Sequence, residues 1–184
     1  MSRRRPCWLW AVLYSVISCG PLVAGEVWVD IDTGSRSLTV MDDEHALRVF
    51  ENISIGRNGV TSEKVVKDRK TPLGSYRVRR INDKSRFRLY FGFDYPNLKQ
   101  AQSAFRAGRI DYDQLKAIRK AHYLGQEPPF DTPLGGLIGI HGIGNGDARI
   151  HEDYDWTDGC IAVTNEQIDE LAQWLRPGTR VEVH

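Results

Sequence analysis

Apolar and polar residues alternate from Glu26 to Ile31, with Val27, Val29 and Ile31 sharing one side, which is the two-residue period of a β-strand. Asp32-Thr33-Gly34-Ser35 supplies turn residues, Leu38 and Val40 begin a second strand, and Asp42-Asp43-Glu44 turns the chain again. Leu47 and Val49, extended by Ile53 and Ile55, mark a third strand. Pro72 and Gly74 shape a turn into a strand carrying Tyr76, Val78 and Ile81, and Phe87, Leu89 and Phe91 alternate in the next. The period then changes. Leu98, Ala101 and Phe105, and afterwards Tyr112, Leu115, Ile118, Arg119 and His122, recur at helical spacing. Gly108 and Arg109 separate the two short helices, and Asp111 is placed to cap the second. Their amphipathic face reads as ordinary packing or as one wall of a cleft, with His122 a surface or helix-end histidine. Leu137, Ile138 and Ile140 lead a strand up to His141, and Ile161 to Val163 form the strand that leaves Cys160. Thr164 and Gln167 fit a capping box for a helix that buries Ile168, Leu171, Ala172 and Leu175. Pro177-Gly178 stops it, and Val181 and Val183 form a last strand. The pattern predicts one β-rich, mixed α+β domain with flanking helices.

Composition narrows this picture. A chain of 184 residues, 41% hydrophobic, is long enough to bury one proper core. Its formal net charge of +1 gives no reason to expect a nucleic-acid partner. Arg3-Arg4-Arg5 followed by the apolar run Trp8 to Ile17 reads as a secretory signal over residues 1–25, cut near Ala24 or Gly25. The run is short of the roughly 20 residues of a membrane span. An uncleaved anchor or an N-terminal core helix is the other reading of the same stretch. Val16-Ile17-Ser18-Cys19 also resembles a lipobox, which would end the signal before Cys19 and leave a lipidated N-terminus. With Cys7 and Cys19 in the leader, residues 26–184 keep one thiol, Cys160, which has no internal disulfide partner.

That thiol sits in suggestive company. Gly139-Ile140-His141-Gly142 and Trp156-Thr157-Asp158-Gly159-Cys160 place a base and a nucleophile on separate segments that a fold can bring together. A thiol attacks as thiolate, and a nearby base or positive field lowers its pKa. Gly159 removes a side chain just before the sulfur and lets backbone N–H groups face a developing oxyanion. Trp156 walls the groove or anchors its loop. His151 belongs to the loop as a polar surface or groove residue. The basic run Lys67 to Lys70 reads as solvated surface or as a substrate contact. A metal site built from His141, Asp147, His151, Asp153, Asp155 and Cys160 is the chemical rival, but no HExxH or CxxC spacing supports it.

These residues resemble the L,D-transpeptidase catalytic domain (YkuD-like) family. His141, fifteen residues and then Thr157-Asp158-Gly159-Cys160 match the family's histidine and Ser/Thr-x-Gly-Cys motif. The resemblance extends through Lys70-Thr71-Pro72-Leu73-Gly74-Ser75-Tyr76, Asp94-Tyr95-Pro96-Asn97 and Gly178-Thr179-Arg180-Val181. It implies a β-sandwich or barrel sheet with flanking helices, export to the periplasm, and action on peptidoglycan stem peptides without cofactor or metal. It implies Cys160 as nucleophile, His141 as proton donor and acceptor, the Gly142 carbonyl orienting the imidazole, and Gly159 in the oxyanion hole. Trp156, Thr157, Asp158 and Tyr95 are the implied substrate contacts. Two departures stand out: Ala162 replaces a frequent arginine and Thr157 a frequent serine. Transpeptidation, hydrolysis of stem-peptide or lipoprotein–peptidoglycan links, and a non-catalytic wall-binding module are the functions left open, with an outer-membrane lipoprotein as a further partner of the second.

Overall fold

The computed structural model describes residues 25–184, so the signal reading, Cys7 and Cys19 lie outside it. Strands β1 (Val27–Asp32), β2 (Ser37–Asp42) and β3 (His45–Glu51) run as an antiparallel meander. Strands β4 (Val60–Thr61) and β5 (Thr71–Pro72) make a separate parallel pair. The long β6 (Gly74–Ser85) and β7 (Arg88–Phe93) form a hairpin. Helices α1 (Leu98–Arg106) and α2 (Tyr112–Tyr123) follow, then β8 (Gly139–His141), α3 (Ala148–Asp153), β9 (Ile161–Ala162), α4 (Asn165–Leu171) and β10 (Arg180–Val183). The main sheet has eight strands in the order β3-β2-β1-β10-β6-β7-β8-β9.

The sheet's two ends are joined. The chain leaving β3 runs on to Ser54, whose N–H donates to Ala162 O at 2.9 Å, while the Ala162 N–H returns to Ser54 O at 2.8 Å. This bridge curls the sheet around one core in which Val29, Ile31, Leu38, Phe50, Ile140 and Ile161 are buried. The fold is the mixed, mostly β architecture that the pattern predicts.

Several local expectations need correction. Leu47 and Val49 face solvent and Phe50 carries the burial of β3, because β3 is the outermost strand of the meander and a bulge shifts its register against β2 between Val40 and Met41. Phe87 precedes β7 rather than opening it, and Tyr90 to Phe93 are buried in succession, so both faces of β7 are covered there. Leu98, Phe105 and Tyr112 are exposed; α1 and α2 instead bury Ala101, Ala104, Leu115 and Ile118 in a second small core with Ile110 and Leu134. Leu137 is not strand: it has φ +55° and an exposed side chain. Helix α4 stops at Leu171, Ala172 is only half-buried, and Leu175 is buried beyond the helix. His122 is half-buried at the end of α2, held by Pro96 O at 2.8 Å. Among the described residues no helix is long and apolar enough to cross a membrane.

Candidate active site

The short strands β8 and β9 set the site. They pair in parallel with Ile140 opposite Ile161 and His141 opposite Ala162. Cys160 immediately precedes β9, so the pairing of the two strands brings it next to the strand that carries His141. The His141 ring nitrogen Nδ1 lies 2.7 Å from Gly142 O. A carbonyl only accepts, so Nδ1 carries the proton and Nε2 keeps its lone pair.

The imidazole is packed dry. Phe87 stacks on it with ring centroids 4.4 Å apart, and Trp156 meets its edge at 5.7 Å. Burial drives its pKa down to about 4, helped by His151 and Arg86 and opposed by the Gly142 hydrogen bond. The Cys160 residue as a whole is half-buried, yet the protein packed around its thiol pushes the pKa up to about 11. The Gly139 N–H and the Lys64 ammonium pull it back, and Asp158 adds to the rise. The thiol hydrogen donates to Leu137 O at 3.3 Å. Burial therefore leaves base and nucleophile both neutral at rest, and the thiol needs a proton acceptor as it attacks.

The loop before Cys160 is stitched to the chain after β3. Thr157 N–H donates to Ile55 O at 3.1 Å, Arg57 N–H to Thr157 O at 3.0 Å, and Ile55 N–H to Asp155 Oδ1 at 3.0 Å. Gly159 has φ +132°, and a Cβ there would lie 2.6 Å from Lys70 O, so no other residue fits that turn without moving the backbone. Thr157 is 3% exposed. Its hydroxyl donates to Cys160 O at 2.6 Å and accepts the Gly159 N–H at 3.1 Å. That removes Thr157 from the substrate surface and occupies the Gly159 N–H expected in the oxyanion hole. Cys160's own N–H is left as the candidate oxyanion donor from this turn. Tyr95 is also corrected: it is 2% exposed, its hydroxyl donates to Leu134 O at 2.9 Å, and its ring packs against Tyr76 in the core. Asp158 does face solvent, beside Arg57 at 3.1 Å. Half-buried Trp156 borders the groove.

Sequence reasoning missed Arg86 and Lys64 and misplaced His151, expected in the loop as a polar surface or groove residue. His151 is fully buried in α3, and its Nδ1 lies 3.3 Å from the Trp156 indole N–H and 3.2 Å from Ser54 Oγ. Indole only donates, so His151 Nδ1 accepts and the tryptophan is held by it. Arg86 stacks over Phe87 at 4.6 Å and, among the described residues, has no carboxylate within ion-pair distance. With Phe87, Ile143, Asn145, Ile150 and Trp156 it lines a cavity of about 450 Å³. Lys64 is buried beneath the loop. No periodicity marks these three; only their distant partners do. A larger cavity, about 1030 Å³, is lined by Tyr76, Arg79, Lys99 and Arg119 and includes neither His141 nor Cys160, so its size does not make it the site of chemistry. Among the described residues no three His, Cys, Asp or Glu side chains gather closely enough to hold a metal ion.

A mixed sheet closes here beside a buried histidine on β8 and a cysteine just before β9. Residues 26–183 match the family model for the YkuD L,D-transpeptidase catalytic domain, and the chain belongs to that family. It is similar in fold to the helical cell shape determining protein Pgp2 from Campylobacter jejuni, with 22% identity, TM-score 0.60, and coverage of 88% of this chain and 48% of that one. Bd1075 from Bdellovibrio bacteriovorus is similar at 19% identity and TM-score 0.56, again over 88% of this chain and 48% of that one. The chain thus spans about half the length of each. No curated protein matches it.

Proposed function

We propose that the chain is a periplasmic cysteine L,D-transpeptidase acting on tetrapeptide stems of peptidoglycan. The observation that carries this reading is the 2.7 Å contact between His141 Nδ1 and Gly142 O, which leaves Nε2 as a base on the strand paired with the one that Cys160 leads into. Cys160 Sγ attacks the carbonyl carbon joining the L-centre of diaminopimelate to D-alanine. The thiol proton passes to His141 Nε2 as the sulfur–carbon bond forms, and the Cys160 N–H stabilises the oxyanion. The carbon–nitrogen bond then breaks, the proton moves to the leaving amine, and D-alanine departs from a thioester. An amine of a second stem takes the acyl group and regenerates the thiol. Water in its place gives a trimmed stem, and a lipoprotein-linked stem would be released by the same branch.

The Arg86 guanidinium supports a substrate that bears a carboxylate; Asp147, which lines the same cavity, is paired with Arg149 at 3.0 Å. His141 must reach the leaving amine, and the carboxylate of a terminal D-alanine sits on the adjoining carbon. Arg86, one aromatic ring away from His141, is a cation on that side with no carboxylate partner among the described residues. The likeness to Pgp2, named as a determinant of helical cell shape, supports a role in wall remodelling.

Incubation with purified muropeptides, with and without an amine acceptor, tests the reading by mass spectrometry. Wild-type protein releases D-alanine and carries an acyl adduct on Cys160, and Cys160→Ala shows neither. Full turnover by Cys160→Ala would remove the nucleophile assignment. Binding without turnover by the wild type would instead mark a wall-binding module.

A further inference from the structure

Lys64 is 6% exposed, an uncommon place for an ammonium. Its three N–H donors meet three oxygens: Asp68 Oδ1 at 2.6 Å, the Lys70 carbonyl at 2.9 Å and the Asp158 carbonyl at 3.3 Å. The first of these holds the lysine in place. Asp68 is itself anchored, since its carboxylate also accepts the Lys70 N–H at 3.0 Å and the Val65 N–H at 2.9 Å. The third reaches across 94 positions of sequence to the residue that opens the Asp158-Gly159-Cys160 turn. A Cβ on Gly159 would lie 2.9 Å from Lys64 Nζ, so the ammonium packs directly against the glycine that precedes the sulfur.

We propose that Lys64 is a positioning residue for the Cys160 nucleophile: it grips the turn by the Asp158 carbonyl and fixes a buried positive charge behind the sulfur. The proposal rests on Cys160 as the nucleophile and needs no particular substrate. Other charged and titratable groups near the thiol are Tyr90 from β7, His141 from β8 and Asp158 from its own loop. The guanidinium groups of Arg57 and Arg69 lie at 3.1 and 3.8 Å from Asp158 Oδ1. Both arginines are exposed, and water and salt screen them. Lys64 has no such screen. The charge helps where negative charge gathers, on sulfur as the proton leaves and on the oxyanion that forms next to it.

The experiment is alkylation of Cys160 by iodoacetamide, followed by mass between pH 7 and pH 9, where the rate rises with the thiolate fraction. Lys64→Met keeps the length of the side chain and removes the charge; its rate is expected to fall about tenfold at each pH, the equivalent of one pKa unit. Lys64→Arg restores most of the rate. Asp68→Asn keeps the ammonium and removes its counter-charge, so alkylation should speed up, a direction that mere loosening of the turn by loss of a lysine contact does not give. Circular dichroism establishes that each variant is folded. If Lys64→Met does not fold, Asp68→Asn decides: an unchanged or slower rate overturns the proposal. A Lys64→Met profile that superimposes on the wild type overturns it as well. Because alkylation requires no turnover, a shifted profile with no activity on muropeptides would remove the proposed function and leave this role of Lys64 standing.

Discussion

His141 and Cys160 rest as an uncharged pair, and burial is the first cause in each case. For His141 this has a consequence for stability. Unfolded, a histidine takes up its proton near pH 6.5; folded, His141 does so only at about pH 4. Between those values the unfolded chain binds the extra proton, so acidification favours unfolding. The stability is fully present above pH 6.5 and is lost as the pH falls towards 4, by about 3 kcal/mol in all. His151, also held below its ordinary value by burial, acts in the same sense. Denaturant midpoints at pH 7 and pH 4.5 should therefore differ for the wild type and differ less for His141→Gln. Equal differences would mean that the fold does not keep the imidazole neutral. At this scale the spacing from His141 to Cys160 was legible because the motif carries it, and the Gly142 carbonyl lies against the imidazole as the resemblance implies. Thr157 and Tyr95 misled because a polar or aromatic residue beside a reactive loop looks the same in sequence whether it meets substrate or, as here, the carbonyls of Cys160 and Leu134.

Elements whose signals are local were readable. Asp111 and Thr164 cap α2 and α4 with reciprocal boxes, each side chain accepting from N3 while the N3 glutamine returns to the cap. Replacing Thr164 with alanine should lower stability by about 1 kcal/mol. The cap starts four residues after Cys160, so the same variant separates global from local effects. Equilibrium unfolding should register the loss, while alkylation of Cys160 in native buffer stays at the wild-type rate. A changed alkylation rate would show that the start of α4 helps to hold the nucleophile loop. Elements without local signals were missed or misdrawn. Helix α3 has six residues, fewer than two turns, which leaves no period to recognise. β8 and β9 have three and two residues, so apolar runs around them overstate their length. Leu137 shows the effect: it extends the apolar run before His141, yet its positive φ turns the chain and aims its carbonyl at the thiol.

At the scale of the whole molecule the site is a product of closure. The β6–β7 turn supplies Arg86 and Phe87, the connection after β8 supplies Ile143 and Asn145, and the loop before β9 supplies Trp156. Ser54, Ile55 and Arg57 from the far end of the meander hold that loop in place. None of these meetings is written in periodicity, since each partner becomes relevant only once the sheet has curled. Ala162 fits the same account. It is fully buried between His141 and Ser54, where an arginine side chain would have to find room in the closure itself. A candidate for the cation on the substrate side is Arg86, in the turn between β6 and β7, with the Phe87 ring between it and His141. If Arg86 receives the carboxylate of the leaving residue, Arg86→Ala should raise KM for a tetrapeptide with a free C-terminus. A lost charge-assisted hydrogen bond of about 2 kcal/mol predicts a rise of about thirtyfold, with kcat little changed. A stem amidated at its C-terminus offers no carboxylate, so wild type and variant should handle it alike. Equal losses on both substrates would instead show that the arginine acts by packing on Phe87 and, through it, on the imidazole.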